Sequence, residues 1–136
     1  MPDGFLPDFG EVFGLRDNSF AYGWRSDHTD MARQRGFDEN GLLFDTMNHF
    51  WRGANWEIQL ANGIYNVAVA IGDAWESTHS LAVEGVTYWE NIPLAGHDFR
   101  IATQTITVTD GRLTITPMDA VRWGTRICYV IIEPVD

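Results

Sequence analysis

The stretch Asn55-Trp56-Glu57-Ile58-Gln59-Leu60-Ala61-Asn62-Gly63-Ile64-Tyr65-Asn66-Val67-Ala68-Val69-Ala70-Ile71 decides the fold class. Its first six residues alternate polar with apolar. Its last eight place Tyr65, Val67, Val69 and Ile71 on one side of an extended chain, because successive strand side chains point to opposite faces. Asn-Gly between two such runs is the strongest short-range hairpin signal, so Asn62-Gly63 is expected to pair these strands antiparallel. A second hairpin is expected downstream. Thr105-Ile106-Thr107-Val108-Thr109 meets Arg112-Leu113-Thr114-Ile115-Thr116 through Asp110-Gly111, and both arms are rich in β-branched residues.

Further strands are expected over 80–84 and over 127–132, the latter nearly continuous in apolar residues as a central strand would be. The first third reads differently. Short strands over 5–9, 20–24 and 42–50 frame a segment, 15–41, that carries acids, asparagines, glycines and arginines with no sustained period, the mark of a functional loop. No helical period holds anywhere. Roughly seven to nine short strands with turns between them give an all-β fold, two antiparallel sheets packed as a sandwich. Trp56, Val67, Val69, Ile115 and Val130 are expected inside it, with Tyr65 on the face of Val67 and Val69.

Composition sets the outer limits. The chain has 136 residues, 45% apolar and 21% charged, which suits one ordinary domain over 1–136. Its formal charge is −10, and all nine basic residues are Arg. Such a chain lacks the basic face that nucleic acids or anionic membranes require. A single cysteine, Cys128, excludes an intrachain disulfide framework and a cysteine zinc site. Its apolar strand makes it a buried, inert thiol. No Gly-x-Ser-x-Gly elbow, His-Glu-x-x-His or P-loop occurs. His28 with Asp27 and Asp30 reads as a solvated loop, and no spacing singles out a catalytic carboxylate pair.

The order of short motifs resembles a family. Asp8-Phe9-Gly10, Tyr22-Gly23-Trp24, Arg33 and Arg35, Asp45-Thr46 and Phe50 are followed by Trp56-Glu57-Ile58-x-Leu60, Asn62-Gly63-x-Tyr65-x-Val67 and Gly72-Asp73. Then come Val83-Glu84-Gly85, Asp110-Gly111-x-Leu113-x-Ile115 and Arg126-Ile127. Together they resemble the galactose-binding-like β-sandwich, the accessory module found beside polysaccharide lyases, pectin acetylesterases and other bacterial glycan-degrading enzymes. Malectin-like domains are more distantly similar. The resemblance implies a jelly roll and a secreted, monomeric, non-catalytic carbohydrate-binding module cut from a larger polysaccharide-active enzyme. Its partners would be an oligosaccharide or polysaccharide and the attached catalytic domain. A structural calcium is implied where the first and last strands meet, with Glu11 and Glu133 as the nearest acids.

Sugar recognition needs aromatic faces over C–H patches and planar polar groups on the hydroxyls. Trp75, in the polar run from Asp73 to His79, and Trp89, before Glu90-Asn91, are the leading aromatic candidates. Tyr22 and Trp24 divide evenly between a sugar platform and packing beneath the loop. Asp73, His79 and Asn91 are candidate polar contacts. Arg33 and Arg35 either clamp a uronate, as in a plant or algal polysaccharide, or pair structurally with Asp45. Neutral glycans and uronates both remain open. The competing reading is a structural or protein-interaction sandwich packed on its parent enzyme; burial of Trp24, Trp75 and Trp89 together would favour it.

Overall fold

The computed structural model describes residues 6, 8, 10–16, 20–25, 29, 32–34, 46–50, 55–118 and 125–135. Among these there is no α-helix and there are eleven strands. They are β1 (Gly14–Leu15), β2 (Ala21–Trp24), β3 (Ala32–Gln34), β4 (Thr46–Phe50), β5 (Trp56–Gln59) and β6 (Gly63–Gly72), then β7 (Ser77–Val83), β8 (Val86–Leu94), β9 (Phe99–Val108), β10 (Arg112–Pro117) and β11 (Thr125–Pro134). Two antiparallel sheets result, one of six strands in the order β1-β2-β5-β10-β7-β8 and one of five in the order β3-β4-β11-β6-β9. The chain changes sheet at most of its connections, the winding of a jelly roll. The all-β sandwich expected from the alternation is therefore the fold.

The two expected hairpins are not formed. β5 pairs with β10 and β6 pairs with β9, so Asn62-Gly63 and Asp110-Gly111 each carry the chain from one sheet to the other. A two-residue hairpin of the favoured type needs φ > 0 at both central residues, and neither Asn62 nor Asp110 adopts it. The crossovers bond to each other instead: Leu60 N–H donates to the Gly111 carbonyl at 2.9 Å, and Gly111 N–H donates to Asn62 Oδ1 at 2.7 Å. The physical reason lies in the apolar faces. Crossing the sandwich end lets the inward side chains of β5 and β6 face one another across the core rather than lie in one plane. The hairpin with both φ values positive is at Glu84 (48°) and Gly85 (78°), where Val83 pairs with Val86. Glu84 holds that turn against β10, its carboxylate accepting the Thr114 N–H at 3.1 Å.

The core follows the alternation. Val67, Val69, Ile71, Leu113 and Ile115 are fully buried, and Tyr65 joins them; each such side chain contributes about 1.5–3 kcal/mol through burial. Trp56 and Val130 are half-buried and pack against this cluster. β2 is the strand expected over 20–24, and β3 is a further strand within 15–41, where no period was visible. The strand expected over 42–50 is described as β4 alone, and that over 5–9 lies mostly outside the described residues. The strand expected over 80–84 is the second half of β7, and β8 follows it through the turn at Glu84 and Gly85. β8 bulges twice against β7, with register shifts between His79 and Leu81 and between Leu81 and Ala82.

Candidate functional site

The turn from β6 to β7 presents one large aromatic ring. Trp75 is 59% exposed, whereas Ala74 and Asp73 on the same turn are buried. Backbone contacts hold it there. His97 N–H donates to the Asp73 carbonyl at 2.9 Å, and a Cβ at Gly96 would stand 2.6 Å from the Ala74 carbonyl oxygen. Gly72, at φ 138°, has no room for a side chain either, because a Cβ would stand 2.5 Å from the Phe99 ring. The two turns, 73–76 and 95–98, are thus seated on each other at one end of the sandwich.

Beside Trp75 opens a cleft of about 570 Å³ lined by Glu76, Ser77, Thr78, Pro93, Leu94, Ala95 and Arg126. It is an open groove rather than an enclosed pocket. The start of β7 supplies one wall, the end of β8 the apolar one, and β11 brings in Arg126. Arg126 Nε lies 3.4 Å from Asp73 Oδ2, and the Asp73 side chain is wholly buried. Asp73 Oδ1 accepts the Ala74 N–H at 2.7 Å. Asp73 therefore anchors the turn and the cleft arginine from below.

His79 is completely buried behind Ser77. Its Nδ1 accepts the Arg126 backbone N–H at 3.3 Å, so the ring proton sits on Nε2, which donates to Ser77 Oγ at 2.6 Å. Burial, and then the nearby Arg126 charge, lower its pKa to about 4. A Ser–His pair exists, but with the donor and acceptor reversed from what nucleophile activation needs: the imidazole gives a proton to the hydroxyl rather than taking one. Ser77 keeps its own hydrogen to donate. Cys128 fits the expected inert thiol, its pKa pushed up by burial and then by Asp73.

Several expected site residues are placed elsewhere. Tyr22 and Trp24 are core residues at 3% and 2% exposure, since both share the inward face with Ile58 and Trp56 across β2 and β5. Trp24 Nε1 and Trp56 Nε1 both donate to the Asp8 carboxylate, at 3.1 and 2.5 Å; these indoles are tied, not presented. Trp89 lies on β8 rather than in a loop. It pairs with the fully buried Leu81 and packs against the core, roughly 15 Å of strand from the Leu94 end where Trp75 sits. The two tryptophans therefore do not form one aromatic surface. Asp73 and His79 support the cleft from behind instead of reaching a ligand. Asn91, at φ 51° in the β8 bulge, turns back on the sheet, its N–H donating to Ser80 Oγ at 2.8 Å. Arg33 stands on β3 opposite Met47, and Arg35, like Asp45, lies outside the described residues.

Sequence reasoning missed Glu76, Ser77 and Arg126. Glu76 and Ser77 stood in the quoted polar run. Arg126 stood in the Arg126-Ile127 motif but carried no signal of a site, because it sits about fifty residues from the turn it meets.

The residues proposed for calcium do not fit it. Calcium takes six to eight oxygen ligands. Glu11 is ion-paired with Arg16 and its carbonyl accepts the Trp24 N–H at 3.0 Å beside the six-stranded sheet. Glu133 pairs with Asn66 in the other sheet. No group of three or more His, Cys, Asp or Glu side chains gathers among the described residues.

The fold defines the class, an antiparallel β-sandwich module, and solved structures share it. The Bacillus subtilis protein YxiM matches all of this chain at TM-score 0.69 and 20% identity. β-Glucuronidase 2 of Bacteroides uniformis, solved covalently bound to cyclophellitol-6-carboxylate aziridine, matches 97% of it at TM-score 0.61 and 14% identity. A chain of the complex of the plant peptide RALF23 with FER and LLG2 matches 76% at TM-score 0.58 and 16% identity. At such identities the likeness is one of fold. This chain spans 37% of the YxiM chain and 15% of the glucuronidase chain. No protein-family model and no curated protein matches the sequence.

Proposed function

We propose that this chain is a non-catalytic carbohydrate-binding module that holds an attached, secreted polysaccharide-active enzyme on its glycan. The observation that carries the reading is Trp75: a large indole left in solvent, on a backbone-braced turn, next in sequence to Glu76 of a cleft with hydroxyl, carboxylate and guanidinium groups. An exposed tryptophan gains by covering apolar C–H patches, and the polar rim orients the hydroxyls. The same sandwich forms part of a bacterial β-glucuronidase, which supports the accessory role. Binding energy is used here for residence on the glycan, since a tethered site raises the effective concentration of its catalytic neighbour. The reversed Ser77–His79 bond argues for binding rather than hydrolysis.

Affinity electrophoresis in neutral and acidic glycan gels tests the reading. The parent chain should be retarded in at least one gel and the Trp75→Ala variant released from it. Absence of retardation in every gel would favour the second reading, a module that packs on its parent protein. One observation supports that alternative: Ile64, Ile101, Ile131 and Val135 are exposed, and the registers of β6, β9 and β11 put them on one outer sheet face.

A further inference from the structure

We infer that the cleft beside Trp75 selects a neutral, hydroxyl-rich glycan and discriminates against uronates, an inference that rests on the glycan-binding reading above. The argument is the charge that surrounds the ligand. Among the described residues Arg126 is the cation lining the cleft, and it is already matched by the wholly buried Asp73 carboxylate at 3.4 Å. A guanidinium whose charge is compensated from below offers hydrogen-bond donors but little net attraction for a second anion. Glu76 adds an uncompensated carboxylate to the exposed rim. Asp73 and Glu76 therefore contribute two negative charges against the one positive charge of Arg126.

Among the described residues, the Asp98–Arg100 pair and the buried His79 do not restore a positive field. Asp98 and Arg100, on the turn and strand that follow, bind each other at 3.0 Å and cancel. His79 is held as the neutral imidazole by its two ring hydrogen bonds. The chain as a whole carries −10, so an acidic polysaccharide is also repelled as it approaches, most strongly at low salt. A neutral pyranose meets a better match. Glu76 can accept two neighbouring hydroxyl protons, Ser77 and Thr78 can donate or accept, and the Pro93–Leu94 wall covers a C–H face.

The test is isothermal titration of the full chain with galactan, xylan, mannan and glucan oligosaccharides, with oligogalacturonate, and with its methyl ester, which removes the charge but keeps the sugar. Each is run near 0.02 M and near 0.2 M salt. At least one neutral ligand should bind, and oligogalacturonate should bind at least about tenfold more weakly than that ligand. Where the methyl ester binds, its advantage over the acid should shrink at high salt and in the Glu76→Gln variant. Oligogalacturonate bound as tightly as the ester and the neutral ligands, or more tightly, overturns the inference while leaving the glycan reading standing. No binding to any of them sinks the glycan reading itself, and the inference with it.

Discussion

His79 donates its Nε2 proton to Ser77 Oγ across 2.6 Å, while Nδ1 is occupied by the backbone N–H of Arg126. One buried ring thereby ties the start of β7 to the start of β11. Because the ring serves this purpose only as the neutral tautomer, acid should loosen the site.

That gives a pH prediction with a definite sign. The unfolded chain protonates His79 near pH 6.5, the folded chain only near pH 4. Between these values the unfolded state binds more protons, so stability is at its full value above pH 6.5 and falls as the pH drops toward 4. The total loss is on the order of 3 kcal/mol. Urea unfolding near pH 7 and near pH 4.5 should show it, and His79→Gln should flatten the slope between them. A parent protein equally stable at both values would contradict the buried neutral imidazole.

Trp75 and Trp89 should separate cleanly. Trp75→Ala should weaken glycan binding by about 1–3 kcal/mol, the loss expected for an aromatic anchor, and leave the melting temperature nearly unchanged because the ring is on the surface. Trp89→Ala should instead lower stability, since its ring packs on the core beside Leu81, and the folded fraction should still bind. Melting curves and affinity electrophoresis on both variants decide the matter.

The Asp73–Arg126 pair should behave as a buried ion pair. Arg126→Leu strands the Asp73 carboxylate and should cost about 3–5 kcal/mol. Adding Asp73→Asn should recover much of that loss, because the unpaired charge is removed. A double-mutant cycle by denaturant unfolding measures the coupling, and additive losses would show that the two groups do not interact.

Trp24→Ala should cost about 3–5 kcal/mol of stability through the cavity it leaves, together with its bond to Asp8. Calcium provides a further check. Glu11→Gln and Glu133→Gln should leave any calcium-induced change in melting temperature as it is in the parent, with chelator as the reference. Loss of a calcium response in either variant would restore that carboxylate as a ligand.

The inward and outward alternation of β5, β6, β9 and β10 was legible from residues 55–71 and 105–116, because a strand's two-residue period is a local property of the backbone. That alternation with no competing helical period determined the all-β sandwich and much of its core, Val67, Val69 and Ile115 among them. It did not determine which strands pair. A short Asn-Gly or Asp-Gly link can turn the chain back in its own sheet or carry it across the sandwich, and the choice was made by contacts between segments far apart in sequence, as the Asn62–Gly111 bond records. The site divides in the same way. Trp75 stood out as an aromatic in a polar turn, which residue type and neighbours suffice to mark. Whether Tyr22 and Trp24 were platform or core depended on their inward register against Ile58 and Trp56, and the meeting of Arg126 with Asp73 depended on β11 pairing with β6, Ile127 against Ile71. Burial and charge pairing are properties of what lies opposite a side chain, and only the tertiary structure supplies the opposite side.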